Sequence, residues 1–549
     1  MHGLMQDWPL TVDKILDHGA TWHGGREIVS RPIEGGPLAR TTYADIRRRA
    51  KQLSNALLAY GVKRGDRVAT LAFNTARHLE AWYGVMGMGA VCHTLNPRLF
   101  IDQLVYIVNH AEDRLIFADI CAAPILNAVL PHCPGVELVV WLTDEAHLPA
   151  GPAGAAPIGI AYESFIAGRA EACVWGDFAE TEAAGLCYTS GTTGNPKGVL
   201  YSHRSNYLHT LLTLQAEVIG LSSSDSLLMI VPMFHANAWG LAFSAPAVGA
   251  KLVMPGVQLD GASVCELLTN EKVTFAAGVP TVFQGLLQHL EKTGGELPYL
   301  RRVLSGGAAC SEAMIRTLQD RYGVEVTHAW GMTEMSPMGS VGSPCATVAA
   351  MSHEDQLAYK LKQGRVFLGV DMKLADDEGR RLPHDGVAVG RLMVRGHSVA
   401  KAYFGGEGGD VLDEEGFFDT GDVATLDPLG YIQITDRSKD VIKSGGEWIS
   451  SIEIENIASG HPKAALAAVV GLPHPKWDER PLLVIQLRPG ESGAKAEFLR
   501  FLDGKVAKWW IPSDVVFDDI PLGATGKIDK KLIRQKYAGH VWPEPAAAG

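Results

Sequence analysis

The stretch Tyr188-Thr-Ser-Gly-Thr-Thr-Gly-Asn-Pro-Lys-Gly-Val199 follows a short apolar run, Leu186-Cys187, that reads as the end of a buried strand. Thr189, Ser190, Thr192 and Thr193 offer hydroxyls, Gly191 and Gly194 free the backbone, and Lys197 adds a mobile positive charge. Glycines let successive N–H groups face one anion, and hydroxyls add donors. That is the chemistry of a triphosphate cradle. It is not the Gly-x-x-x-x-Gly-Lys-Ser/Thr pattern of P-loop NTPases. A polar surface turn is the bland reading of any Gly/Ser/Thr loop, and the length of the full string argues against it.

Outward from this loop, apolar runs alternate with helical periodicity. Thr42-Tyr-Ala-Asp45 has the form of a helix-capping box, and Ile46, Ala50, Leu53, Leu57 and Leu58 then keep helical spacing. Residues 67–73 read as a buried strand, 78–89 as a helix, 104–110 as a helix, and 115–118 and 136–142 as strands. The Ala/Gly/Pro-rich segment 149–159 reads as a surface connection, after which strand-like runs return at 227–231 and 251–254. The alternation predicts an α/β fold with covered, largely parallel sheets. From Arg391 to Asp436, short strand-like runs with Gly and Asp turns predict a small β-rich subdomain. Runs at 464–471 and 482–487 and an amphipathic stretch at 494–509 predict a small α+β domain. We therefore expect a large domain over 1–436 and a mobile small one over 437–549.

The chain has 549 residues, too many for a single core. Its formal net charge of −12, from 49 basic and 61 acidic residues, argues against a nucleic-acid-coating protein. A local phosphate pocket is still compatible with it. The start Met-His-Gly-Leu-Met-Gln-Asp-Trp lacks a basic-then-apolar leader, and no run approaches the ~18 apolar residues of a membrane span. Eight scattered cysteines form no Cys-x-x-Cys pair, which suits free buried thiols and a cytoplasmic location.

Four further strings carry chemistry. His328-Ala-Trp-Gly-Met-Thr-Glu334 ends on a carboxylate, the ligand type that hard Mg2+ prefers. Leu304-Ser-Gly-Gly-Ala-Ala309 is flat enough for a purine to lie on. Thr420-Gly-Asp422, followed by Asp436-Arg437, offers a carboxylate suited to a diol. Pro521-Leu-Gly-Ala-Thr-Gly-Lys527 sets a lysine on a tight glycine loop. Taken singly, each has a plain reading as a turn or a solvated charge.

Together and in this order, the strings resemble the acyl-adenylate-forming superfamily of acyl-CoA synthetases, aryl-CoA ligases, luciferases and peptide-synthetase adenylation domains. Asn96-Pro-Arg-Leu-Phe100, Pro232-Met-Phe-His-Ala-Asn-Ala-Trp239 and Ile442-Lys-Ser-Gly-Gly-Glu-Trp-Ile-Ser450 are most similar to the fatty-acyl-CoA synthetases of medium- and long-chain type. The resemblance implies ATP, Mg2+ and CoA as reaction partners. It implies that Thr189, Ser190, Gly191, Thr192, Thr193, Gly194 and Lys197 hold the triphosphate. His328, Ala329, Trp330, Gly331, Met332 and Thr333 would lie against the nucleotide, and Glu334 with Thr189 would hold Mg2+. Gly307, Ala308 and Ala309 would line the adenine and acyl pocket, Asp422 would take the ribose hydroxyls, and Arg437 would lie near ribose and phosphate.

By the same resemblance, Lys527 contacts the carboxylate and α-phosphate in a first half-reaction that makes acyl-AMP. Lys439 is then the hinge about which the small domain turns, bringing Lys443 and Trp448 toward a CoA tunnel for the second. His235, Ala236, Trp239 and Gly307 would bound the acyl pocket, Trp239 matching an indole that gates it in long-chain relatives. Amino-acid-activating relatives place an Asp after the aromatic residue, where His235 follows Phe234 here, so a non-amino acid is expected. Medium-chain fatty acids and a short thioether acid, 3-methylthiopropionate, both fit. A homodimer is implied as well. Adenylation with transfer to an acceptor other than CoA is the alternative, and an inactive nucleotide-binding regulator would have lost Glu334, Asp422 or Lys527.

Overall fold

The computed structural model describes Met1 and residues 3–149, 158–189, 195–437, 440, 442–444, 447–523 and 527–543, apart from the side chains of Ile158, Arg437, Lys443, Glu447 and Trp448. Two large sheets dominate. The first has the order Arg365–Val366, Met338–Val341, Glu325–Gly331, Arg302–Gly306, Phe275–Gly278, Ser226–Met229, Lys251–Met254, Glu27–Ser30, Ala39–Thr42. The second runs Ile158–Ala161, Leu138–Trp141, Leu115–Ala118, Arg67–Leu71, Val91–Thr94, Ala183–Tyr188, Gly198–Ser202. Interior neighbours pair in parallel, and antiparallel pairing is confined to the margins. This is the covered, largely parallel α/β arrangement that the alternating sequence predicts.

The helices Tyr43–Tyr60 and Ala76–Gly87 join the two sheets into one body. Thr42 caps the first: its hydroxyl oxygen accepts the Asp45 N–H at 3.2 Å. Leu53, Trp82, Tyr83 and Phe243 pack with Ile28, Leu227 and Leu252 of one sheet and with Val68, Phe117 and Val140 of the other. Removing a fully buried aromatic such as Trp82 from such a layer costs about 3–5 kcal/mol. This shared layer fixes the two sheets relative to each other.

A third, antiparallel sheet comprises Val370–Ala375, Gly390–Gly396, Phe418–Leu426 and Ile432–Arg437. It begins some twenty residues earlier than expected from the sequence. The first strand contains Lys373, whose charge reads as surface. Lys373 is in fact buried, with its ammonium 2.6 Å from Asp413 and 2.7 Å from Glu415 and lying over the Phe417 ring. The fourth sheet comprises Ile442–Ser444, Glu447–Ile449, Ala464–His474, Asp478–Leu487 and Asp514–Phe517. Its amphipathic helix stops at Leu502, because Gly504 takes a left-handed φ of +75°, and only a short 3-10 turn, Lys508–Trp510, follows. Among the described residues no helix is long and apolar enough to cross a membrane, and the eight cysteines are free thiols.

Several histidines are sealed in this core. Burial pushes His78 and His209 down to about 4 and His203 down to about 3. The His209 Nε2 accepts the Met338 N–H at 3.2 Å, so the ring must stay neutral to keep that bond. The unfolded chain takes up this proton near the ordinary value of 6.5, the folded chain only near 4. Between those values the unfolded state binds more protons, so stability is lost as pH falls through the window. In urea unfolding, the advantage of wild type over His209→Gln should shrink by roughly 2–3 kcal/mol between pH 7 and pH 4. A gap that does not change with pH would show that His209 is not held neutral.

Candidate active site

Thr189 and Lys197 stand where the strands Ala183–Tyr188 and Gly198–Ser202 open into the glycine-rich loop. The Thr189 N–H donates to the Lys197 carbonyl at 2.9 Å, and the Lys197 N–H donates to the Thr189 hydroxyl at 3.2 Å. The mouth of the loop is therefore closed by two reciprocal hydrogen bonds. Ser190, Gly191, Thr192, Thr193 and Gly194 lie outside the described residues. The Lys197 ammonium sits 4.8 Å from the centre of the Tyr403 ring, a cation–π contact. Tyr403 in turn donates its hydroxyl proton to Glu334 Oε1 at 2.7 Å. Burial and the neighbouring carboxylate push the Tyr403 phenol well up, so it keeps its proton.

Glu334 is buried, in the turn Thr333–Met335. Its backbone carbonyl accepts the Ala400 N–H at 2.7 Å, and the Thr333 carbonyl accepts the Tyr201 hydroxyl at 2.7 Å. Gly331 makes this turn possible, since a Cβ there would lie 2.1 Å from the Pro337 carbonyl oxygen. Among the described residues no three His, Cys, Asp or Glu side chains group as a metal site. A carboxylate and a hydroxyl suit Mg2+ that takes its remaining oxygens from phosphate and water.

Asp422 is buried in the strand Phe418–Leu426, and its Oδ2 accepts the Trp330 indole N–H at 2.8 Å. Its backbone partner across the ladder is Arg437. The strand Glu325–Gly331 thus joins the turn at Ala308 to the Asp422 carboxylate. On the same strand, His328 Nε2 lies 3.3 Å from the Ala308 carbonyl.

Lys527 belongs to the small domain yet reaches the large one. A Cβ on Gly307 would lie 3.7 Å from the Lys527 Cε. The same ammonium, with Arg98, reinforces the burial that pushes His235 down to about 4, so this imidazole is neutral at physiological pH. Arg98, at the rim, has its guanidinium 5.9 Å from the Phe234 ring centre. Sequence reading assigned Arg98 no role, although it lies within the quoted string Asn96–Phe100. Two cations, Lys527 and Arg98, thus act on one neutral imidazole, and the positive potential there favours an anion.

Trp239 lies against the same glycine turn. A Cβ on Gly306 would lie 3.3 Å from its Cη2, and one on Gly307 3.8 Å from its Cζ2. The indole is only 8% exposed. It is presented by an unusual backbone: Ala236, Asn237, Ala238, Trp239 and Gly240 all have φ between +42° and +78°. Four consecutive non-glycine residues in this region cost roughly 1–2 kcal/mol each. Part of that is offset by the Asn237 amide donating to Asn206 Oδ1 at 3.0 Å, by the Ala238 N–H donating to the His235 carbonyl at 3.0 Å, and by burial of the indole.

At the start of the small domain, Asp436 Oδ2 accepts the Ser451 N–H at 2.8 Å and the Ser451 hydroxyl at 2.5 Å. Asp440 pairs with Arg534. Lys439, named as the hinge, lies between them outside the described residues, as do the side chains of Arg437, Lys443 and Trp448.

The chain matches the family of AMP-binding enzymes over residues 16–404 and the AMP-binding enzyme C-terminal domain over residues 453–527. It is 48% identical over 541 residues to a 3-methylmercaptopropionyl-CoA ligase of Ruegeria lacuscaerulensis, covering 98% of this chain and 99% of that one. It is 46% identical over 538 residues to a medium-chain-fatty-acid–CoA ligase of Ectopseudomonas oleovorans, covering 98% of each. Among solved structures, ATP-bound MatB from Rhodopseudomonas palustris superposes with a TM-score of 0.80 at 25% identity, over 97% of this chain and 99% of that one. An anthranilate CoA ligase in complex with anthranoyl-AMP shares the fold with a TM-score of 0.85 at 24% identity, over 97% and 99%. With its cradle, its buried Glu334 and Asp422 and its reach of Lys527 across two domains, the chain belongs to the AMP-binding enzyme family, as an AMP-forming acyl-CoA ligase.

Proposed function

We propose that this ligase acts on a short apolar carboxylic acid, with 3-methylmercaptopropionate preferred over medium-chain fatty acids. The observation that carries this reading is the Trp239 indole packed against Gly306 and Gly307, where it would shorten the acyl end of the site. Two Ruegeria relatives bearing the name 3-methylmercaptopropionyl-CoA ligase, at 48% and 49% identity, support it.

In the first half-reaction a substrate carboxylate oxygen attacks the α-phosphorus of ATP and pyrophosphate leaves. The nucleophile is the substrate itself, so the protein's work is to position two anions and neutralise charge. We assign Lys527 to the carboxylate and the α-phosphate, Lys197 and Thr189 to the leaving pyrophosphate, and Asp422 to the ribose hydroxyls. Glu334 and Thr189 would hold Mg2+, which offsets phosphate charge when bound. Gly307, Ala308 and Ala309 would back the purine and the acyl group. His235, neutral, and Ala236 would line the acyl side without opposing the carboxylate.

In the second half-reaction the thiolate of CoA attacks the acyl carbon and AMP departs. A lysine in the position of Lys527 obstructs that approach. Rotation of the residues beyond 436 about Lys439 would withdraw it and turn Lys443 and Trp448 toward the site. The Ser451–Asp436 hydrogen bonds span the pivot and would break in such a rotation, whereas the Arg534–Asp440 pair lies within the rotating part and would move with it. The reading includes a cytoplasmic location, supported by the free thiols, and a homodimer, supported by family resemblance.

Two measurements test these assignments. With a panel of acids from acetate to palmitate, thioether and aryl acids included, AMP release should peak at the short thioether acid and stall when CoA is omitted. Trp239→Ala should move the optimum toward longer chains. An unchanged profile in that variant removes Trp239 as the wall. Lys527→Ala should slow acyl-AMP formation by about 10²–10³-fold, the scale of one lost charge-stabilising donor, while conversion of supplied acyl-AMP to thioester stays near wild type. Equal loss in both half-reactions would refute the assignment of Lys527 to the first.

A further inference from the structure

The helix Ile101–His110 carries no residue assigned so far, yet its inner face meets the anion-binding loop. The Tyr106 hydroxyl donates to Glu407 Oε1, and the Asn195 side chain hydrogen-bonds to the same phenol. Asn195 is part of the cradle string. One turn on, the His110 ring stacks on Tyr106, with centroids 5.3 Å apart and planes 12° apart. Its Nδ1 lies 2.6 Å from the Tyr188 hydroxyl, and its Nε2 3.8 Å from Glu407 Oε1. Tyr188 immediately precedes Thr189. The helix thus touches the loop on both sides of its mouth.

Glu407 lies in the segment that follows Tyr403, the residue under the Lys197 ammonium. A Cβ on the next residue, Gly408, would lie 3.0 Å from the Lys197 Nζ. Phe404 of that segment packs edge-on against His110 at 5.5 Å, and a Cβ on Gly198 would meet Phe404 at 2.9 Å. The Tyr403–Gly408 segment is therefore wedged between the helix and the strand that follows Lys197. A glycine-rich loop binds phosphate well only when its N–H groups are already aimed, because ordering a free loop costs roughly 1–2 kcal/mol per residue. Closing the mouth through Thr189 and Lys197 fixes the two ends to each other, not to the rest of the domain.

We propose that Tyr106, His110 and Glu407 form a strut that holds the two ends of the loop, at Tyr188 and at Asn195–Lys197, in place for the pyrophosphate half of ATP, acting as positioning residues for the first half-reaction. This rests on the ligase reading above. None of the three side chains needs to touch a reacting atom.

Tyr106→Phe removes the oxygen shared by Glu407 and Asn195 and keeps the ring on His110. It should raise KM for ATP about tenfold, the scale of one hydrogen bond to a charged group, and leave thioester formation from supplied acyl-AMP unchanged. Glu407→Ala should do the same, the double variant should be no worse than either single one, and Glu407→Gln, which keeps an acceptor oxygen, should recover most of the loss. An unaltered KM for ATP in Tyr106→Phe, or an equal fall in both half-reactions, overturns the strut. Thermal stabilisation by MgATP separates the two readings. If wild type releases no AMP with any acid yet is stabilised by MgATP, and Tyr106→Phe needs about tenfold more nucleotide for the same shift, the ligase reading fails and the strut stands.

Discussion

A carboxylate and a triphosphate repel each other, and joining them requires fixed positive charge in a site that excludes water. In this molecule the cations proposed for that work come from separate parts of the chain. Lys197 stands at the end of the glycine-rich loop, Arg98 at the rim beside Phe234, and Lys527 on the small domain against Gly307. The acids nearby are occupied: Glu334 by Tyr403, Asp422 by Trp330. The approach of Lys527 to Gly307 is the contact on which the rest turns, because it brings the small domain onto the large one.

That contact is possible because the two large sheets are held by a common helical layer. Leu53, Trp82 and Phe243 belong to one core with residues of both sheets, which holds in place the strand ends that carry Tyr188, Gly306 and Gly331. Close approach does the rest. Gly306 and Gly331 stand where any side chain would strike a backbone carbonyl, of Ala329 and Pro337 respectively. A rigid floor of backbone lets a lysine arriving from elsewhere find its place.

Much of this is legible in the sequence, for a physical reason. The cradle, the string ending in Glu334, Thr420-Gly-Asp422 and the glycine loop of Lys527 are each built by residues a few positions apart, so each shows its chemistry locally. The parallel sheets are legible from short apolar runs between helical periods. What escapes is pairing at a distance. Tyr403 and Glu334 are 69 positions apart, and Tyr106 and Glu407 are 301 apart, so neither bond leaves a spacing to read. Lys373 hides a strand because its charge is neutralised by residues forty positions on, Asp413 and Glu415. Arg98 stands in a quoted string, but its neighbours Phe234 and His235 come from a distant segment. No pattern announces the left-handed run at 236–240, since Ala, Asn and Trp there obey tertiary demands against their own preference.

That run has a consequence for how such an enzyme changes. Its residues wind against their own chirality, so the fold expends stability to aim a single ring. The place of the indole against the strand end at Gly306 is therefore set by a short backbone excursion. The aim of that ring and the integrity of the scaffold become separable properties. Under the role proposed for Trp239, rewriting five residues would change the acid accepted and leave the nucleotide side as it is.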